Sequence, residues 1–294
     1  MTLTPNRPQM PSLNSLRAFE AVARLASISA AADELFVTPG AIAQHIKSLE
    51  EWAGVALIKR NARSIELTPL AYSVLPEFQT AFDQMGKAVH KLHTKAAPNF
   101  IRIAALPSIA QLWLSPRLPE LRNAIPELLI SVSALERPPN LVRDPFDMAI
   151  FFKRDIQGDN ISLINKDKIF PVASPEIAKR VTKITDLQNE VLLHDLTWRS
   201  DWKTWLSHYA PGIHTDKGGP EFTLYALALE ECKNGAGILI GHESLVKSHL
   251  ESGELVPVFE NVLTTPQYLT LETSDHIKKN PQVKTVMDYI IASA

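Results

Sequence analysis

Two Thr-Pro pairs, Thr38-Pro39 and Thr68-Pro69, constrain the first part of this chain more tightly than any other feature in it. A threonine hydroxyl can accept from the free N–H groups of a first helical turn. Proline suits the first helical position, where its missing N–H is no loss. Each pair therefore starts a helix. Beyond Pro39, the apolar residues Ile42, Ile46, Leu49 and Ala53 form one stripe, leaving Gly40, Gln44, Lys47, Ser48 and Glu51 on the opposite face. Beyond Pro69, Val74, Phe78, Phe82, Met85, Val89 and Leu92 make a longer, coiled-coil-like seam that suits another helix.

Upstream, Leu13, Leu16, Phe19, Val22 and Ala23 recur at helical spacing. Ser27 and Ser29 then offer caps to a short second helix around Ala31, Ala32 and Leu35, whose small side chains allow close packing. Two short helices joined by a tight turn, the second with small and amide side chains at its start, are what a major-groove reader requires. Thr38, Pro39 and Gly40 would lead that helix in, Gln44 can bond adenine N6 and N7, Lys47 and Ser48 can hold phosphates, and His45 sits at the flank. For such a helix taken alone, a solvated face is the plain alternative. The sequel favours the first reading. After Gly54, residues Val55–Ile58 and Ser64–Leu67 read as two short strands around Lys59-Arg60-Asn61-Ala62-Arg63, a wing whose basic tip would reach a backbone or minor groove.

Net charge contributes little, because it is -2 over the 294 residues. Placement carries the case: Lys59, Arg60 and Arg63 cluster with no acid between them. The single cysteine, Cys232, forms no internal disulfide and reads as a small buried side chain. No run of apolar residues is long enough to span a membrane, and Met1 to Pro11 lack the apolar core of a secretory signal. A cytoplasmic protein with no membrane partner is expected.

The order Leu13-Asn14-Ser15-Leu16-Arg17-Ala18-Phe19, Ser29-Ala30-Ala31-Ala32-Asp33-Glu34-Leu35, Val37-Thr38-Pro39-Gly40-Ala41-Ile42, Ile46-Lys47-Ser48-Leu49-Glu50, Leu57-Ile58-Lys59-Arg60 and Leu67-Thr68-Pro69 resembles the N-terminal part of LysR-type transcriptional regulators. The remainder of the chain resembles that family's sensor half. The segments Leu106–Leu118, Leu192–Asp195 and Asp201–Leu206 are similar to the subgroup typified by the glycine-cleavage-system activator. Two positions depart from the pattern. Ala43-Gln44 stands where the family usually has a serine and often an arginine, and Phe151-Phe152-Lys153 where the subgroup commonly has arginine, tyrosine and glycine.

Behind a proline-broken stretch at Thr94–Asn99, strands are expected at Ile101–Ala105, Leu128–Ala134, Met148–Phe152, Val191–Leu193, Ile238–Ile240 and Leu255–Val258, with helices over 109–124, 224–234 and 243–251. The resemblance implies α/β architecture overall. It implies a winged helix-turn-helix over 12–69, a linker and dimerisation helix with hinge over 70–97, and a periplasmic-binding-protein-like α/β effector domain over 98–294. Subdomain I of that domain would hold 98–171 and 266–294, and subdomain II 172–265, with the effector in the cleft between them. Ligands of open α/β sheets bind beyond the carboxyl ends of strands. On that ground Pro107, Ser108 and Ile109 are candidate effector residues, joined by Phe151 and Phe152 as an apolar wall, His194, and Thr223.

Gly-x-Ser-x-Gly, His-Glu-x-x-His and the phosphate-loop pattern are all absent, so an enzyme is not expected, nor is a metal or other cofactor. The expected partners are double-stranded promoter DNA, a small organic acid or amino-acid-like effector, and further copies of the chain in a homodimer or homotetramer. RNA polymerase is an additional partner the reading allows. The alternative is a cytoplasmic solute-binding sensor without specific DNA readout.

Overall fold

The computed structural model describes residues 10–60, 65–213, 218–273 and 281–293. The chain divides into two compact units, Met1–Ala88 and Val89–Ala294.

The first unit is three helices, a two-stranded ribbon and the start of a long helix: α1 (Leu13–Leu25), α2 (Ile28–Leu35), α3 (Pro39–Ala53), β1 (Ile58–Arg60), β2 (Ile65–Leu67) and α4 (Pro69–Ala96). Of the start signals read from the sequence, Ser27, Thr38 and Thr68 cap as expected, while Ser29 lies within α2. Ser12, Ser27 and Thr38 each accept a backbone N–H of the first turn, from Ser15, Ala30 and Ala41. The turn between α2 and α3 is closed by Phe36 in the left-handed region (φ 55°), and α3 ends on Gly54 (φ 67°). Leu16, Phe19, Val22, Ala31, Ala32, Ile42, Ile46 and Leu49 form the core.

Two expectations change here. The first wing strand begins at Ile58 rather than Val55, because the N–H groups of Leu57 and Ile58 donate to Glu50 Oε1 at 2.8 and 3.0 Å instead of to a neighbouring strand. The seam on α4 is also divided. Val74, Phe78 and Phe82 pack on the unit's own core, Phe78 meeting Phe19 edge-on at 5.8 Å, while Met85, Val89 and Leu92 stay exposed. The wing tip, Asn61–Ser64, lies outside the described residues and takes the candidate Arg63 with it.

The second unit is a mixed sheet of nine strands among the described residues: β3 (Phe100–Ala105), β4 (Leu129–Ala134), β5 (Met148–Lys153), β6 (Ile161–Ala173), β7 (Leu192–Asp195), β8 (Glu221–Phe222), β9 (Ile238–His242), β10 (Val256–Pro257) and β11 (Leu263–Thr273). The order is β4-β3-β5-β11-β6-β9-β7-β8, with β10 beside β6. Parallel pairs at each end, β3 with β4 and β5, and β7 with β8 and β9, are joined through the antiparallel pair β6 and β11. The helices α5 (Leu118–Ala124), α6 (Pro175–Arg180), α7 (Asp201–Tyr209), α8 (Tyr225–Lys233), α9 (Glu243–Glu251) and α10 (Pro281–Ala292) complete the unit. Two separate clusters of buried apolar side chains lie along the sheet, one around Ile103, Trp113, Ile150 and Leu271, the other around Ile177, Trp205 and Ile238.

The single helix expected over 109–124 is instead a π turn at Ile109–Leu114, a 3-10 turn at Ser115–Arg117 and then α5. Pro116 and Pro119 supply no N–H to a continuous ladder, so the hydrogen-bond pattern resets at each. The two long crossing strands had no assigned ranges in the sequence. β11 bulges between Thr264 and Tyr268, where Pro266 can donate nothing to a ladder.

Glu50 is the one side chain that ties the end of α3 to the ribbon through two backbone bonds. Glu50→Ala should lower the stability of the first unit by about 1–3 kcal/mol. Urea unfolding followed by circular dichroism would measure it, and an unmoved midpoint would show that the two N–H groups are served equally well without the carboxylate.

Candidate nucleic-acid interface and ligand cleft

Helix α3 turns Ile42, Ile46 and Leu49 into the core and leaves Thr38, Pro39, Gly40, Gln44 and Lys47 exposed, with His45 and Ser48 half-buried at the margins. The Thr38 hydroxyl is 3.2 Å from the Ala41 N–H it caps. A Cβ added at Gly40 would meet only that hydroxyl, at 3.9 Å, so nothing inside the protein demands a glycine there. Its missing side chain leaves room on the outside. Lys47 faces Glu51 at 3.6 Å with both side chains about two-thirds exposed, a pair that water and salt screen and that leaves the ammonium free to swing away. Lys59 is exposed on β1 opposite Glu66, and Arg60 ends the same strand. Arg24, by contrast, is committed internally, to Glu20 at 3.2 Å and Glu34 at 2.5 Å.

In the second unit, one cleft collects the ends of four parallel strands. It is lined by Leu106, Pro107 and Ser108 after β3, Glu136 after β4, Thr197 and Trp198 after β7, and Thr223, Leu224 and Tyr225 after β8. That is where strand carboxyl ends are expected to receive a ligand. Of the candidates named from the sequence, Pro107, Ser108 and Thr223 meet here. Ile109 and Phe151 are instead fully packed in the core. Phe152 is half-buried behind the lining, edge-on to Trp198 at 5.7 Å. His194 lies within β7 beside Glu221 of β8, outside the lining, and burial lowers its pKa. Glu136, Thr197, Leu224 and Tyr225 had not been singled out. They sit in loops or at helix starts with no periodic signal, and only the sheet order reveals that they converge.

Two buried polar groups stand out at this cleft. Ser108 is 5% exposed and its hydroxyl has no hydrogen-bond partner, although it stands at the start of a helical turn where a serine usually caps. Asp195 accepts from the N–H groups of Thr197 and Trp198 at 2.8 and 3.2 Å through Oδ1, which fixes the loop, but its buried Oδ2 has no partner. Burial raises the Asp195 pKa, against those two bonds.

Behind the cleft lies a charged node. His242, 1% exposed at the end of β9, is 2.9 Å from Asp167 on β6 through Nδ1 and 2.9 Å from Asp201 on α7 through Nε2. Asp167 also accepts from Thr265 Oγ1, in the bulge of β11, at 2.8 Å. Trp198 lies against the imidazole with ring centroids 4.2 Å apart, and Tyr225 donates its hydroxyl to the Ile240 carbonyl at 3.1 Å. Burial alone would lower the His242 pKa, but the bonds to Asp167 and Asp201 outweigh it and hold the pKa at about 10. His242 is therefore an imidazolium at neutral pH. Cys232 is buried, bonded to the Val172 carbonyl and pushed up to about 12, which makes it inert.

Among the described residues no group of His, Cys, Asp and Glu has the arrangement of a metal site, and no helix is long and apolar enough to cross a membrane.

Comparison with known proteins places both units. Residues 13–72 match the bacterial regulatory helix-turn-helix model of the lysR family, and residues 99–294 match the LysR substrate binding domain. The glycine cleavage system transcriptional activator of Escherichia coli K12 is 32% identical over 97% of this chain and 95% of its own length. Among solved structures, CrgA of Neisseria meningitidis, a LysR-type transcriptional regulator, aligns with a TM-score of 0.55 at 19% identity over 96% of this chain and 98% of its own. The effector domain of the regulator AmpR of Pseudomonas aeruginosa aligns at 0.56 and 16% identity, over 66% of this chain and 95% of its own.

Because the folded pKa of His242 is raised, its contribution to stability is complete below the ordinary value of 6.5 and is lost as pH rises through about 10. The stability gap between the wild type and His242→Asn should therefore narrow steadily across that interval in urea titrations. A gap that stays constant would show that the buried ring carries no charge.

Proposed function

The chain belongs to the LysR family of DNA-binding transcription regulators with an effector-binding domain, and from that premise and the geometry above we propose how its parts divide the work. The chain is a regulator, not an enzyme. It reads promoter DNA with the exposed start of α3: Gln44 is the base reader, and Thr38, Pro39, Gly40, His45 and Ser48 let the helix approach. Lys47, Lys59, Arg60 and Arg63 hold phosphates or the adjoining groove. The observation that carries this is the polar outer face of a capped, well-buried helix whose Gly40 is demanded by nothing within the protein.

The copies act as a homodimer or homotetramer, consistent with the exposed apolar remainder of the α4 seam at Met85, Val89 and Leu92. A small organic acid or amino-acid-like effector occupies the cleft at Ser108 and Thr223. In this scheme residues 12–69 are the reading head, 70–97 the linker, and 98–294 the sensor, divided into 98–171 with 266–294 and 172–265. Closure of the cleft changes how the paired reading heads are held, and so promoter use, in the cytoplasm and with RNA polymerase as the eventual respondent.

Fluorescence anisotropy with DNA from upstream of the chain's own gene, against scrambled DNA over a salt series, tests the reading. Preference for the upstream DNA should persist at physiological salt; equal binding to both would remove sequence-specific readout. Gln44→Ala should cost about 1–3 kcal/mol of discrimination at one base position. Lys59→Ala should weaken all DNA alike and reduce the salt slope by about one. An unchanged base preference in the first variant would remove Gln44 as the reader.

A further inference from the structure

We propose that the cleft selects a ligand carrying an ammonium group as well as a carboxylate, and that Glu136 is the residue that recognises the ammonium; the inference rests on the cleft being the effector site. Among the described residues that line it, Glu136 is the only charged one, and no lysine, arginine or histidine joins it. Glu136 makes no ion pair among the described residues, so its charge is uncommitted. Behind the lining, the Asp195 carboxylate leaves one buried oxygen without a partner. Also behind the lining, the His242 imidazole is already bonded to two carboxylates, Asp167 and Asp201. The Tyr225 phenol is spent on the Ile240 carbonyl and stays neutral, since burial raises its pKa. The side chains that line the cleft thus carry a net negative charge.

A ligand that is only an acid would enter this field with nothing to balance it. Yet the cleft also holds the unpartnered Ser108 hydroxyl, 5% exposed, which has a proton to donate, and the exposed Thr223 beside it. A carboxylate meets Ser108, and an amine on the same small molecule meets Glu136. Both requirements together describe a zwitterion of the α-amino acid class. A charge-assisted hydrogen bond is roughly twice as strong as a neutral one, so the amine should decide selectivity.

Calorimetry on the full-length protein, titrated with a set of α-amino acids and with the matched acids in which hydroxyl or hydrogen replaces the amine, tests this. At least one amino acid should bind, its amine-free counterpart about tenfold or more weakly, and Glu136→Gln should erase most of that difference. Ser108→Ala should weaken both series without changing their ratio. Amine-free acids that bind as well as their amino counterparts, or an amine preference that survives Glu136→Gln, overturn the proposal while Ser108 dependence keeps the cleft reading. Failure of both series to bind, or binding indifferent to both substitutions, overturns the cleft reading with it.

Discussion

Beside the antiparallel pair β6 and β11, one buried imidazole at the end of β9 is held between two carboxylates, and the wall of the cleft is built against it. Burying one charge from each of three elements is costly unless each finds a partner. His242 at the end of β9, Asp167 on β6 and Asp201 on α7 satisfy one another, and Thr265 takes the remaining oxygen of Asp167 from within the bulge. The bulge and the node meet at Thr265. The bulge between Thr264 and Tyr268 frees Thr265 to bond Asp167, while the ladders with β5 and β6 hold the register of β11 on its far side. The loop after β7 is fixed by Asp195, and Trp198 from that loop rests on His242, so the wall of the cleft inherits its position from the crossing.

The first unit is organised by simpler means. Capping hydroxyls at Ser12, Ser27 and Thr38 set where the helices begin, Glu50 sets where the ribbon begins, and one apolar core orients α3 so that its polar side faces outward. The polar outer face of α3 is what remains once Ile42, Ile46 and Leu49 have been buried. The unit's buried acid, Glu20, is answered locally by Arg24 four residues on.

How much of this can be seen in a sequence depends on the range of the interactions involved. The caps, prolines and stripes of residues 12–60 are local, and the helices they announce are present almost residue for residue. In the sensor unit Pro107, Ser108 and Thr223 lie at strand ends as read, and, the two-residue β8 apart, the parallel strands β3, β4, β5, β7 and β9 were legible as apolar runs. The crossing strands were not, since their alternation is interrupted by Lys166, Asp167, Lys168 and Pro266 at the very place where they do their structural task. Phe151 and Phe152 show the same limit: adjacent in a strand, they must point to opposite faces, and only the sheet's packing says which one is core. The pairing of His242 with residues 75 and 41 positions away has no local trace at all.

Trp198 belongs to two environments at once. One part of its ring system lines the cleft, and another lies 4.2 Å from the imidazolium that fastens the strand crossing. Phe152 and Tyr225 pack against the same indole, edge-on at 5.7 and 5.3 Å, so its place is set from three sides. One aromatic side chain thus touches both the cleft lining and the buried charged node. A change in the shape of the cleft and a change in the charge of that node would therefore both be felt at the same indole.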